Sequence, residues 1–125
     1  MRNAQSTLAV DVRLEGHPPG SIVAVRLEGE LDITSSPLLQ AVVEQALATR
    51  REPACHLLAV DMSGVSFADA SGISPLLLAR ATLARRGGRV ELRHCRRGVP
   101  RLPRLLGLEA LAGIDVVDGE THPVG

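Results

Sequence analysis

Apolar and polar positions alternate at the start of this 125-residue chain. Residues 8–14, Leu-Ala-Val-Asp-Val-Arg-Leu, follow the period-two pattern of a half-buried strand. His-Pro-Pro-Gly at 17–20 forces a turn. Ser-Ile-Val-Ala-Val-Arg-Leu at 21–27 then predicts a second strand, close enough to the first to pair as a hairpin, and Gly-Glu-Leu-Asp at 29–32 ends it. Beyond it the period changes. Leu39, Val42, Val43, Ala46 and Leu47 recur at helical spacing and define one buried stripe on a helix reaching about residue 49. Ser36 suits its N-cap and Pro37 its first helical position.

Residues 57–60, Leu-Leu-Ala-Val, predict a short, wholly apolar strand of the kind covered on both faces in a parallel sheet. A polar stretch follows at 61–72, with two acids, three serines and two glycines. Residues 73–86 read as a second helix stopped by Gly87 and Gly88. Pro75 is tolerated in a first turn, which sets the helix start near Ser71. Residues 89–93 predict a fourth strand, 99–106 a short helix with Leu102, Leu105 and Leu106 inward, and 114–117 a last strand. The order β-β-α-β-α-β-α-β, with right-handed crossovers, predicts an α/β fold. Its single-layer mixed sheet has about five strands, the first antiparallel and the rest parallel, with the helices packed mainly on one face. The chain, 1–125, reads as one domain with a core over about 7–118, a loose N-terminus and a loose tail at 119–125.

Composition narrows the function. Hydrophobic residues make up 45% of the chain, enough for a core without disulfide or metal support. Phe67 is the sole aromatic, so the stacking platforms used on single-stranded nucleic acid are missing and no nucleic-acid partner is expected. No apolar run approaches the roughly 18 residues of a membrane span. The N-terminus lacks a signal-peptide pattern, so a cytoplasmic location is expected. Cys55 and Cys95 have no metal-type spacing and read as reduced thiols.

All 14 basic residues are arginine, and the formal charge is zero. Nine of them fall in residues 80–104 against one acid, Glu91, while the first 79 residues carry nine acids and five arginines. Such a segment is either a solvated face or a surface for an anionic partner.

In a parallel sheet, residues after the carboxyl ends of the strands meet at one edge. Asp32 follows the second strand, and Asp69 with Ser71 follows the third, at the start of a helix whose free N–H groups favour an oxygen or anion. Asp69 alone reads as a helix cap. Two acids on neighbouring turns exceed what two caps require and point to a functional surface. Catalysis is not expected. A phosphoryl-accepting aspartate normally works beside a lysine, and the chain has none. Phosphate-loop and zinc-hydrolase motifs are missing. His56 and His94 fall at opposite edges of the sheet, and neither a catalytic residue, a metal site nor a cofactor is expected.

Three segments carry a resemblance: Leu-Glu-Gly-Glu-Leu-Asp at 27–32, Asp-Met-Ser-Gly-Val-Ser-Phe-Ala-Asp-Ala-Ser-Gly-Ile at 61–73, and Leu-Leu-Gly-Leu at 105–108. Together they resemble the STAS domain, most nearly that of bacterial anti-sigma-factor antagonists. The resemblance implies a partner-switching regulator of transcription that binds an anti-sigma factor of the serine protein kinase type. It also implies phosphorylation of a serine directly after the motif aspartate, adding a charge of about −1.5 to −2 that breaks the complex. Here that aspartate is Asp69 and the acceptor position is Ala70, which has no hydroxyl. Ser71 is a weak substitute, about 100° further round the helix. The implied partner surface comprises Gly29, Glu30, Asp32, Asp69, Ala70, Ser71 and Gly72. Two other roles stay open: a subunit of a larger assembly, such as a lipid-transport or stress-sensor complex, and a module holding a nucleotide or other small molecule. Monomer and homodimer are equally open.

Overall fold

The structure is a computed structural model and describes residues 8–16, 21–48, 56–94 and 114–117. The expected turn at 17–20, Cys55, Cys95, the helix at 99–106 and the loose termini lie outside the described residues.

Five strands and two helices make up the described chain: β1 (Ala9–Glu15), β2 (Ile22–Leu31), α1 (Ser36–Ala48), β3 (Leu57–Ala68), α2 (Ala70–Ala84), β4 (Arg89–Arg93) and β5 (Ile114–Val117). They form one sheet in the order β1-β2-β3-β4-β5. The β1–β2 pairing is antiparallel and the other three are parallel. This is the mixed sheet expected, with β4 and β5 at the predicted residues.

Alternation decides which strand residues are buried. Val23, Val25 and Leu27 of β2, Leu58 and Val60 of β3, and Val90 and Leu92 of β4 share one face. Leu39, Val43 and Leu47 of α1 lie over it, one helical turn apart, with Ile73, Leu76, Ala79 and Leu83 of α2 beside them. Burying a Leu or Ile side chain contributes about 1.5–3 kcal/mol each, so this layer supplies most of the driving force. Both described helices therefore cover the same face of the sheet. The apolar stripe predicted for the first helix is its buried stripe, while Val42 and Ala46 flank it partly exposed.

Two strands run further than expected. β3 does not end at residue 60 but runs to Ala68, through residues 61–68 of the polar stretch. Its pairing with β2 slips twice: Asp61 faces Arg26 but Gly64 faces Glu28, and Val65 faces Gly29 but Phe67 faces Glu30. Each slip is a bulge that inserts one residue in β3. The inward positions therefore become Met62 and then Val65, three apart instead of two. β2 extends likewise, so residues 29–31 are strand and not turn, and Gly29 has φ +118°, the half of backbone space that glycine tolerates best.

α2 starts at Ala70, which puts Pro75 beyond the first turn. Its ring supplies no N–H to the Ser71 carbonyl. The Ser74 hydroxyl donates to that carbonyl instead, at 3.1 Å. The helix ends as Gly87 and Gly88 predict, with the Gly88 N–H donating to the Leu83 carbonyl at 2.8 Å. At the other helix, the start falls on Ser36 itself. The N-terminal carbonyl is that of Ser35, one residue before the expected cap, because the buried Ser35 closes the preceding turn.

Candidate functional site

The ends of β2 and β3 are neighbours in the parallel sheet, with Leu31 opposite Ala68. Immediately beyond, the Asp69 N–H donates to the Leu31 carbonyl at 3.1 Å, and the Asp69 carbonyl accepts from the Ile73 N–H at 3.0 Å to start α2. Gly72 is pressed on the Leu31–Asp32 peptide. A Cβ at residue 72 would stand 2.1 Å from the Leu31 carbonyl carbon and 2.5 Å from the Asp32 nitrogen. Segments 29–32 and 69–72 thus form one continuous surface at the carboxyl edge of the sheet.

Both acids have local structural work. Asp69, in extended conformation (φ −135°, ψ −176°), accepts the Gly72 N–H on Oδ1 at 3.0 Å and caps α2. Asp32 accepts the N–H groups of Thr34 and Ser35 on its Oδ1, each at 3.0 Å. Ser35 completes the turn: its hydroxyl donates to the Glu30 carbonyl at 2.7 Å and accepts the Asp32 N–H at 3.0 Å. The capping that Asp69 alone suggests is therefore present, whereas Asp32 closes the turn that precedes α1. Each employs one carboxylate oxygen in this way. Among the described residues, neither second oxygen has a hydrogen-bond partner.

Glu30, Ala70 and Ser71 are exposed, and Gly29, Asp32 and Asp69 are partly so, whereas Gly72 is buried under the contact it makes. Two apolar side chains not singled out in the sequence join this edge. Ile33, directly after Asp32, is 73% exposed, and Phe67, paired with Glu30, is 48% exposed. The signal for Phe67 was available: the one aromatic of the chain stands in a polar stretch and away from the apolar strands. Ile33 carries no comparable signal.

Electrostatics at this edge are acidic, with Glu30, Asp32 and Asp69 together and no arginine within segments 29–34 or 66–74. Of the described arginines in the basic segment, Arg80 lies in α2, Arg85 and Arg86 follow that helix at its opposite end, and Arg89 and Arg93 belong to β4. The histidines separate as expected: the His56 carbonyl accepts from Arg89 at the start of β4, and His94 follows its end with φ +55°. Among the described residues no group of three or more His, Cys, Asp and Glu could hold a metal ion. Among them, too, no helix is long and apolar enough to cross a membrane.

A mixed sheet helix-covered on one face, with its β2 and β3 ends joined to the tip of α2, is the architecture of a STAS domain. The family model described as "Mlab, STAS domain" matches residues 9–117, and the chain belongs to that family. Among solved structures, SpoIIAA, an anti-sigma factor antagonist, in its unphosphorylated form aligns with a TM-score of 0.68 at 22% identity, covering 90% of each chain. The Bacillus cell fate determinant SpoIIAA in its phosphorylated form aligns at 0.62 and 21%, covering 90% of this chain and 94% of that one. An anti-sigma factor antagonist from Mycobacterium paratuberculosis aligns at 0.63 and 21%, covering 86% of each. At these identities the likeness establishes the shared fold. No curated protein sequence matches the chain.

Proposed function

We propose that the protein is an anti-sigma-factor antagonist that acts by docking and carries out no chemistry. Its partner is an anti-sigma factor of the serine kinase type, held by Gly29, Glu30, Asp32, Asp69, Ala70, Ser71 and the exposed Ile33 and Phe67. The observation that carries this reading is the seating of Gly72 on the Leu31–Asp32 peptide, which welds the two loops into one exposed, acidic and partly apolar surface. Support comes also from the solved antagonists of the same fold. The mixture of exposed Ile33 and Phe67 with carboxylate oxygens that have no partner among the described residues suits a partner patch with an apolar centre and a basic rim.

The alanine at position 70 makes the complex independent of phosphorylation at that position. An alanine cannot accept a phosphoryl group, so binding is set by abundance or by a signal acting on the partner. Titration calorimetry with the kinase-type anti-sigma factors of the source cell tests this, with Ala70→Asp as the probe. The wild type is expected to bind, and the variant to bind at least about tenfold more weakly, because a charge is placed in the contact. Unchanged affinity would put the interface elsewhere. Phosphate appearing on Ser71 after incubation with kinase and ATP would reinstate a switch and end the constitutive reading.

A further inference from the structure

The second face of the sheet carries neither described helix, and the strand register sets three rows of side chains on it across β1 to β4, with Ala9, Glu28 and Gly64 in register beyond them. Glu15, Ile22, Leu57 and Arg89 stand side by side across β1 to β4. The next row is Arg13, Ala24, Ala59 and Glu91, and the third is Asp11, Arg26, Asp61 and Arg93. Read backwards across β1 to β4, each of these three rows becomes its own complement, while β5 extends the second with Asp115 and the third with Val117. Acid exchanges with base at the ends of all three, acid with base again in the middle of the third, and apolar with apolar in the middle of the others.

That antisymmetry has a geometric meaning. A two-fold axis between two such faces, parallel to the strands and midway between β2 and β3, reverses each row and leaves its height unchanged. Glu15 then meets Arg89 of the second copy, Arg13 meets Glu91, Asp11 meets Arg93, and Arg26 meets Asp61. Ile22 is set opposite Leu57 and Ala24 opposite Ala59; Leu57 and Ala59 are already buried within one chain, so these pairs add little apolar area. Each contact occurs twice, as in any isologous interface, and no like charges oppose each other. Shape agrees with charge. A twisted sheet has a saddle-shaped surface, and this axis maps a saddle onto itself, so the two faces keep an even separation, near the ~10 Å of stacked sheets.

We propose that this open face is the interface of a homodimer built about that axis. A shallow depression of about 330 Å³ above Ala24 and Ala59 leaves room for the long Arg13 and Arg26 side chains of both copies. Within one chain the charges are already engaged along their strands, Arg93 with Glu91 at 2.6 Å, Arg26 with Glu28 at 3.0 Å and Arg13 with Asp11 at 3.9 Å. The dimer therefore gains from exchanging ion pairs more than from creating them. Its affinity is modest and falls with salt.

Sedimentation equilibrium of the full chain tests the proposal. The wild type is expected to dimerise at about 0.05 M salt, with a dissociation constant about tenfold higher at about 0.5 M. Glu15→Arg and Arg89→Glu, both at exposed positions, should each weaken the homodimer, since each sets like charges opposite one another. An equimolar mixture of the two variants should associate, and so should the double variant, because in both cases every contact is again between opposites. Circular dichroism melts confirm that each variant is folded. On the wild type alone, concentration-dependent NMR shifts should map to β1–β4 on the open face. A wild type that is monomeric to about 1 mM at low salt overturns the proposal. So does a dimer indifferent to the single reversals, or one whose shifts map to α1 and α2.

Discussion

At residue 72 there is space for a hydrogen and nothing larger. A methyl group there would enter the Leu31–Asp32 peptide, which is strand backbone and cannot swing aside as a flexible side chain would. Gly72→Ala is therefore expected to destabilise the fold by about 3 kcal/mol, the upper end of overpacking, as read by urea unfolding. A change under about 0.5 kcal/mol would mean that the two loops are not joined there. Asp32 is a second case. The chain order brings it beside Asp69, and that much was legible, because residues after neighbouring parallel strands must converge. Its two accepted N–H bonds were not legible, since nothing in the spacing distinguishes a carboxylate that faces a partner from one that closes its own turn. Asp32→Ala should lower stability by about 1 kcal/mol as well as weakening partner binding. An unaltered urea midpoint would show that water replaces those bonds without penalty.

Among the elements, what followed a clean period was readable and what broke it was not. α1 shows its stripe at helical spacing, β4 alternates over all five residues, and both were placed from sequence. β3 hides because two bulges convert its inward spacing from two to three, so Met62 and Val65 look unrelated in a strand template although both are fully buried. Pro75 misled for a related reason. The rule that bars proline from a helix interior assumes an orphaned carbonyl, and Ser74 supplies a donor to it. Ser74→Ala should thus destabilise α2 by about 0.5–1 kcal/mol, the range of one net hydrogen bond. The same change in a Pro75→Ala background, where residue 75 regains its N–H, should have almost no effect. Equal losses in the two backgrounds would assign the Ser74 effect to something other than the Ser71 carbonyl.

For the molecule as a whole, the face of the sheet that carries neither described helix takes part in the response to acid through Asp61. Asp61 belongs to the open face, in the row with Arg26 and Arg93, and is only partly exposed. Burial by itself would raise its carboxyl above the usual aspartate value. The Ser63 N–H, donating at 2.9 Å, the Ser63 hydroxyl, and the charges of His94 and Arg26 outweigh that effect and hold it below 3.8. A carboxyl with a folded pKa below its unfolded one stabilises the fold at every pH above the unfolded value. That contribution shrinks as pH falls past 3.8 and vanishes once the pH is below the folded pKa too. Asp61→Asn keeps an oxygen for the Ser63 N–H and removes the charge. At neutral pH the variant should be less stable than the wild type, and the gap should close on acidification below about 4, because protonation makes the wild type neutral at this position as well. Urea unfolding at a series of pH values, in dilute solution so that a single chain is measured, gives the comparison. The remaining carboxylates titrate in both proteins and drop out of the difference. Two curves that stay parallel into strong acid would mean that the Ser63, His94 and Arg26 contacts do not favour the charged form of Asp61. The open face would then contribute nothing to stability through that charge.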